Sequence, residues 1–147
     1  MKATFMHLLA ALAAMCLWAG AASAQSNLKL RVNVPFSFVA DGTTFSSGEY
    51  EVTQLNETVL VLRNLGDHSS AVEKTEAGPK EGTSGVAALV FHHIGDRYFL
   101  EQVTTRSTEM AHQLEISPLE KQLAQSRRMP KPNIVSVVAH DAVLGGN

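Results

Sequence analysis

The 147-residue sequence predicts a mainly β domain, an antiparallel β-sandwich or small open barrel of seven to eight strands with one C-terminal helix. Three observations predict it. Several stretches place apolar residues on every second position, the period of a half-buried strand. Turn residues punctuate the chain at near-regular spacing, as in sandwiches and small barrels. The period changes clearly only once, at Ser117, where a helix-start signature stands.

The first 24 residues pose a separate problem. Lys2 is followed by an almost wholly apolar run from Phe5 to Trp18 and then by Ala22-Ser23-Ala24. This pattern is that of a secretory signal peptide over residues 1–24, with the cut before Gln25. Roughly 15 apolar residues fall short of the ~20 that span a bilayer, which argues against an uncleaved anchor. Cys16 is preceded by Ala13-Ala14-Met15, whereas lipid attachment wants a small residue directly before the cysteine. Removal of 24 of 147 residues leaves one domain of 123, residues 25–147, long enough to bury a core. Cys16 is the sole cysteine, so the mature chain has neither a disulfide nor thiol chemistry, and its stability must come from apolar burial. Loss of Lys2 leaves 11 basic residues against 14 acidic ones, a net charge of −3 with histidine neutral. That balance argues against nucleic acid as a partner, and no transmembrane segment is expected after cleavage.

Leu28, Leu30, Val32, Val34, Phe36 and Phe38 alternate with Lys29, Arg31, Asn33 and Ser37, predicting the first strand. Pro35 lies on its outward parity and donates no hydrogen bond, so that strand is expected at a sheet edge or with a bulge. Asp41-Gly42 and Ser46-Ser47-Gly48 frame a wide turn, and Tyr50 and Val52 resume the alternation. After a turn at Asn56-Glu57, Thr58 to Leu62 carries apolar residues on both parities, predicting a strand covered on both faces. His68 to Thr75 reads as a weak edge strand and Gly78 to Gly85 as an exposed loop. Val86 to Val103 predicts a hairpin whose Gly95-Asp96 loop suits a type II′ turn. Met110, His112, Leu114 and Ile116 give one more short strand. Ser117-Pro118-Leu119-Glu120 then forms a capping box with proline at the first helical position. Leu119 and Leu123 lie one turn apart on the helix, and Arg127-Arg128 complement its dipole. A helix of about 12 residues has little stability of its own, so its leucines must dock on the sheet. Ile134 to Ala139 has the β-branched content of a last strand.

With these residues in view, the chain resembles a group of small, uncharacterised exported β-rich proteins found chiefly in Acidobacteria. The resemblance rests on Val34-Pro35-Phe36-Ser37-Phe38-Val39, on Gly48-Glu49-Tyr50-Glu51-Val52, on Val90-Phe91-His92 leading to Gly95-Asp96-Arg97-Tyr98-Phe99-Leu100, and on the Ser117 to Ala124 helix. Ser46-Ser47-Gly48-Glu49 departs from the group's usual Pro-Ala-Gly, and Ile116-Ser117-Pro118-Leu119 from its more basic approach to the helix. The resemblance implies export and a β-rich domain, and it assigns no activity, ligand or site.

His92-His93 is the only adjacent histidine pair. Neighbours on a strand point to opposite faces, so the pair cannot chelate one metal, and a site would need a third residue such as His112 or Asp96. A Ser/His/Asp set can be assembled from His68, His92, His112 or His140 with Asp41, Asp67, Asp96 or Asp141, but no G-x-S-x-G elbow accompanies it. Glu49 and Glu51 share a strand face in the manner of a glycosidase pair, yet their outward position favours a solvated face. Asn56-Glu57-Thr58 matches a glycosylation sequon, for which a turn suffices. Lys121, Arg127, Arg128 and Lys131 could form a basic patch toward an anionic surface, but a helix C-terminus attracts such residues anyway. Phe36, Phe38, Phe91, Tyr98 and Phe99 read as core. No catalytic, cofactor-binding or metal-binding residue is therefore nominated, and no cofactor is expected. The sequence points to an exported non-catalytic β domain that binds or scaffolds a partner, with a lipocalin-like carrier of an apolar ligand as the alternative and a hydrolase third. A carrier requires a closed apolar cavity under the Leu119/Leu123 face, a binding module a filled core with an exposed apolar patch, and an enzyme a cleft joining histidine and carboxylate.

Overall fold

In the computed structural model, residues 27–82, 85–106, 110–126 and 131–145 are described. The expected signal peptide and Arg127-Arg128 lie outside them. The described residues form eleven strands and one helix: β1 (Asn27–Val34), β2 (Phe38–Ala40), β3 (Thr43–Phe45), β4 (Gly48–Asn56), β5 (Val59–Asn64), β6 (Ser70–Pro79), β7 (Ala88–Ile94), β8 (Arg97–Thr104), β9 (Met110–Leu114), α1 (Pro118–Ser126), β10 (Asn133–Val138) and β11 (Asp141–Gly145). The ladder runs β10-β7-β8-β9-β6-β5-β4-β1-β11, with β2 joined to β8 and β3 to β2. All pairings are antiparallel except β2 with β8. The chain is thus mainly β with one C-terminal helix, and its architecture is an open sandwich.

One strand, β6, and the passage from β10 to β11 turn the corners between its sheets. β6 pairs with β5 through Ser70 to Lys74 and then with β9 through Thr75 to Pro79. At the other side β10 pairs with β7 and β11 with β1. Between them, Ala139 N–H donates to Ala87 O at 2.8 Å and His140 N–H to Arg31 O at 3.1 Å.

The opening alternation is realised in β1: Leu28, Leu30, Val32 and Val34 are all buried. They meet Tyr50, Val52, Leu60 and Leu62 from their own sheet and Leu89, Phe91, Leu100, Val103 and Leu114 from the facing one, in a single core. Phe38 sits at its centre with ring centroids 5.2 Å from both Tyr50 and Phe91.

Several expectations are corrected. The strand count exceeds seven to eight because the first predicted strand breaks at Pro35, and β2 and β3 form a separate hairpin. That hairpin turns on Asp41 and Gly42, both at positive φ, as a tight two-residue loop requires. Pro35 does not mark an edge, since β1 is paired on both sides and the missing N–H merely ends the ladder at Val34. β6 is no weak edge strand but an interior one of ten residues, whose polar side chains are held because it turns a corner. Gly78 and Pro79 belong to it and not to a loop. On β5 only Leu60, Leu62 and Asn64 are buried while Val59 and Val61 are half-exposed, so one face is covered and not two. The Gly95-Asp96 loop is as expected, with Gly95 at φ 68°.

Candidate functional site

The polar centre of the molecule lies on the outer side of the β7-β8 sheet, under α1. On β7, Leu89 and Phe91 point into the main core. His92 takes the other face, while His93 stacks on Tyr98 with ring centroids 4.3 Å apart. The adjacent histidines thus diverge, as strand geometry demands.

A bulge supplies the next two groups. Val90 faces Gln102 but Phe91 faces Leu100, so Glu101 is an extra residue in β8. Tyr98 and Leu100 pack with the inner core and the inward parity resumes at Val103. Glu101 and Gln102 therefore both take the outer side, one beside His92 and one beneath the segment that follows β6. Gln102 accepts from Glu81 N–H at 2.9 Å and donates to Pro79 O at 2.9 Å, pinning Glu81 over the sheet.

The helix supplies the last group. Ser117 is its N-cap, with Oγ accepting from Glu120 N–H at 3.1 Å. The capping box is only half formed, because the Glu120 carboxylate makes its ring contact with His92 and leaves the cap backbone alone. Leu119, Leu123 and Ala124 dock on Val39, Ile94 and Phe99 and hold the helix so that Glu120 faces inward. α1 covers the nine residues Pro118–Ser126, and the helix end expected at Arg127-Arg128 lies outside the described residues.

The resulting geometry centres on one imidazole. His92 Nδ1 lies 2.8 Å from Glu120 Oε1 and 3.8 Å from Glu101 Oε2, and Nε2 lies 3.3 Å from Glu81 Oε2. The side chains of His92, Glu101 and Glu120 are 11%, 3% and 6% exposed. Gln113 Nε2 donates to Glu101 Oε1 at 3.0 Å. Burial alone would push the His92 pKa down, but the bond to Glu120, the charge on Glu101 and the bond to Glu81 outweigh it and hold the group above the usual imidazole value. Burial pushes the Glu101 carboxyl up, a rise that Gln113 and His92 reduce and the charges of Glu120 and Glu81 reinforce. One donor atom from each of His92, Glu101 and Glu120 converges within 4.8 Å, and no other such trio occurs among the described residues.

The other candidates from the sequence do not join this group. His112 is half-buried on β9, where burial lowers its pKa, and neither it nor Asp96 is the third residue that His92 meets. His140 pairs with Glu49 at 3.3 Å on the exposed surface. Glu51 lies 3.1 Å from Lys29 and 3.6 Å from Arg31, so Glu51 faces two cations while Glu49 faces His140. His68 lies in a turn at φ 62°, and Asp67 accepts from Ser69 N–H at 2.8 Å. Asn56 Oδ1 accepts from Thr58 N–H at 3.0 Å, so the sequon is a turn. Among the described residues, the hydrogen bonds and ion pairs of the His92 ring are all to carboxylates and none is to a hydroxyl.

Sequence reasoning reached His92 and Glu120 separately and missed Glu81 and Glu101. One signal was present: Glu101-Gln102 places two consecutive polar residues in an otherwise apolar strand, which a regular period of two does not accommodate.

Compared with known proteins, the chain matches no family model, no curated protein and no solved structure.

Proposed function

We propose that this chain is an exported, non-catalytic β domain with a binding or structural role in the cell envelope or outside the cell. The observation that carries the non-catalytic part is the placement of the polar cluster. His92 is closed beneath α1, and its ring engages protein carboxylates on both nitrogens, whereas an acid-base catalyst needs one face open to substrate. A binding role is favoured over a carrier by the packing of Leu119 and Leu123 directly against Val39, Ile94 and Phe99. The inter-sheet space is likewise filled by Phe38, Tyr50 and Phe91. A binding role is favoured by Ile134 and Val138, 47% and 51% exposed, on β10 at the end of the ladder. Export is supported by the sequence of residues 1–24, which has the pattern of a signal peptide.

Expression of the full chain with a C-terminal tag in a diderm bacterium tests the reading. The tag is expected in the periplasm or medium on a product that begins at Gln25. Recovery in the cytosol with residues 1–24 intact refutes export. Turnover of ester, glycoside or peptide substrates that His92→Gln abolishes refutes the non-catalytic role.

A further inference from the structure

We propose that His92, Glu101 and Glu120 form a binding site for a single divalent transition metal, with Zn2+ the ion that suits it best, and that the bound metal fastens α1 to the sheet. The donor set is one imidazole nitrogen and two carboxylate oxygens, borderline-hard ligands of the kind Zn2+ takes in three-ligand sites with a fourth position for water. Zinc bonds of 2.0–2.2 Å set neighbouring donors about 3.4 Å apart in a tetrahedron. Nδ1 to Glu101 Oε2 is 3.8 Å and Nδ1 to Glu120 Oε1 is 2.8 Å. Side-chain adjustments of about half an ångström bring both to that value.

Two further observations separate this cluster from a chance gathering of acids. Glu101 is 2% exposed, and it uses Oε1 on Gln113 while Oε2 faces Nδ1 beyond hydrogen-bonding distance. Oε2 is ion-paired with Nδ1 at a separation longer than a hydrogen bond, so a buried carboxylate oxygen is aimed at the imidazole across a gap that a metal ion would bridge. The second observation is the support around the donors. Glu81 sits on the remote nitrogen Nε2 at 3.3 Å, where it can hold that N–H once a metal displaces the proton from Nδ1. A carboxylate on the outer nitrogen of a ligating histidine is the usual partner in metal sites. Gln113 orients Glu101 and the Ser117 cap orients the helix that carries Glu120. Each donor thus has its own positioning group.

Without metal, a proton on Nδ1 bridges His92 and Glu120, and binding releases it. The metal also offsets the formal excess of three carboxylates over one imidazole. With no cysteine beyond Cys16, a metal bridge between β7, β8 and α1 would do what a disulfide does in other small exported domains.

The test uses chelator-stripped mature protein titrated with Zn2+ by calorimetry at pH 7.5 and with Co2+ by absorption. One equivalent of Zn2+ at micromolar affinity or tighter is expected, with Co2+ giving the visible bands of a four- or five-coordinate site. Affinity should fall at least tenfold in Glu101→Gln and Glu120→Gln and be retained in His93→Gln. Because substitution of a buried carboxylate can itself impair folding, 15N spectra of wild-type histidine side chains provide a second readout. His92 Nδ1 is expected to shift on one equivalent of Zn2+ and to broaden with Co2+. No binding, or binding with His92 Nδ1 unmoved and with full affinity in Glu101→Gln, overturns the proposal and leaves an ion pair alone.

Discussion

In the metal-free protein, Glu120→Gln weakens the fold in a manner that depends on pH. The bond removed is the 2.8 Å contact from Glu120 to His92 Nδ1, between side chains 6% and 11% exposed. A hydrogen bond to a charged group contributes roughly 1.5–3 kcal/mol net, and a glutamine in its place keeps a neutral acceptor. The expected loss is therefore about 2 kcal/mol while His92 is protonated. His92 has a folded pKa above its unfolded value of 6.5, so its contribution is fully present below pH 6.5 and disappears as pH rises through the folded pKa. Urea unfolding at pH 6 should show a midpoint lower by about 1 M for an m-value near 2 kcal/mol/M, and at pH 9 the two proteins should differ by under ~1 kcal/mol. An equal difference at both pH values, or a more stable variant at pH 6, would show that the imidazole and Glu120 do not share a charge-assisted bond.

The remaining predictions concern the supports of the fold and the cluster. Phe38→Ala removes a ring that is 1% exposed between Tyr50 and Phe91 and should cost about 3–5 kcal/mol in urea unfolding; a loss under ~1 kcal/mol would mean the inter-sheet core is elsewhere. Thr75→Val removes a buried hydroxyl with no hydrogen-bond partner and should be neutral or stabilising by up to ~1 kcal/mol; clear destabilisation in the same assay would reveal a partner for that oxygen. Gly78→Ala places a methyl 2.2 Å from Gln113 Oε1, so the amide must leave Glu101, whose pKa that bond lowers. The Glu101 carboxyl is then expected to titrate higher by 13C NMR, and an unchanged titration would contradict the role assigned to Gln113.

Much of the architecture was legible because burial imposes a period. Leu28, Leu30, Val32 and Val34 announce β1 by parity alone, and Gly95-Asp96 announces the β7-β8 turn by backbone chemistry. The helix was legible from Ser117 and Pro118, whose capping is local. What failed to show were features set by distant chain. β6 carries Glu73, Lys74, Thr75 and Glu76 in succession, and nothing local says that such a polar run is an interior strand joining two sheets. The role of Glu120 was misread for the same reason. A glutamate three residues after a serine cap has a local use in reaching back to the cap backbone, yet here a histidine 28 residues away offers a partly desolvated partner, and a charge-assisted bond there outweighs a solvated cap.

The bulge in β8 links the fold to the cluster. In a regular strand with Leu100 inward, Glu101 would face outward and Gln102 inward, placing an amide in a core of leucines, valines and phenylalanines at the cost of its unmatched hydrogen bonds. One inserted residue resolves this by turning Glu101 and Gln102 to the same side and returning Val103 to the interior. The two outward groups then divide the work: Gln102 fixes the segment bearing Glu81, and Glu101 approaches His92 beneath the helix. Deleting the bulge would therefore dissolve the carboxylate cage and disturb the core in a single step, so the insertion serves the packing of the sheet and the chemistry above it together.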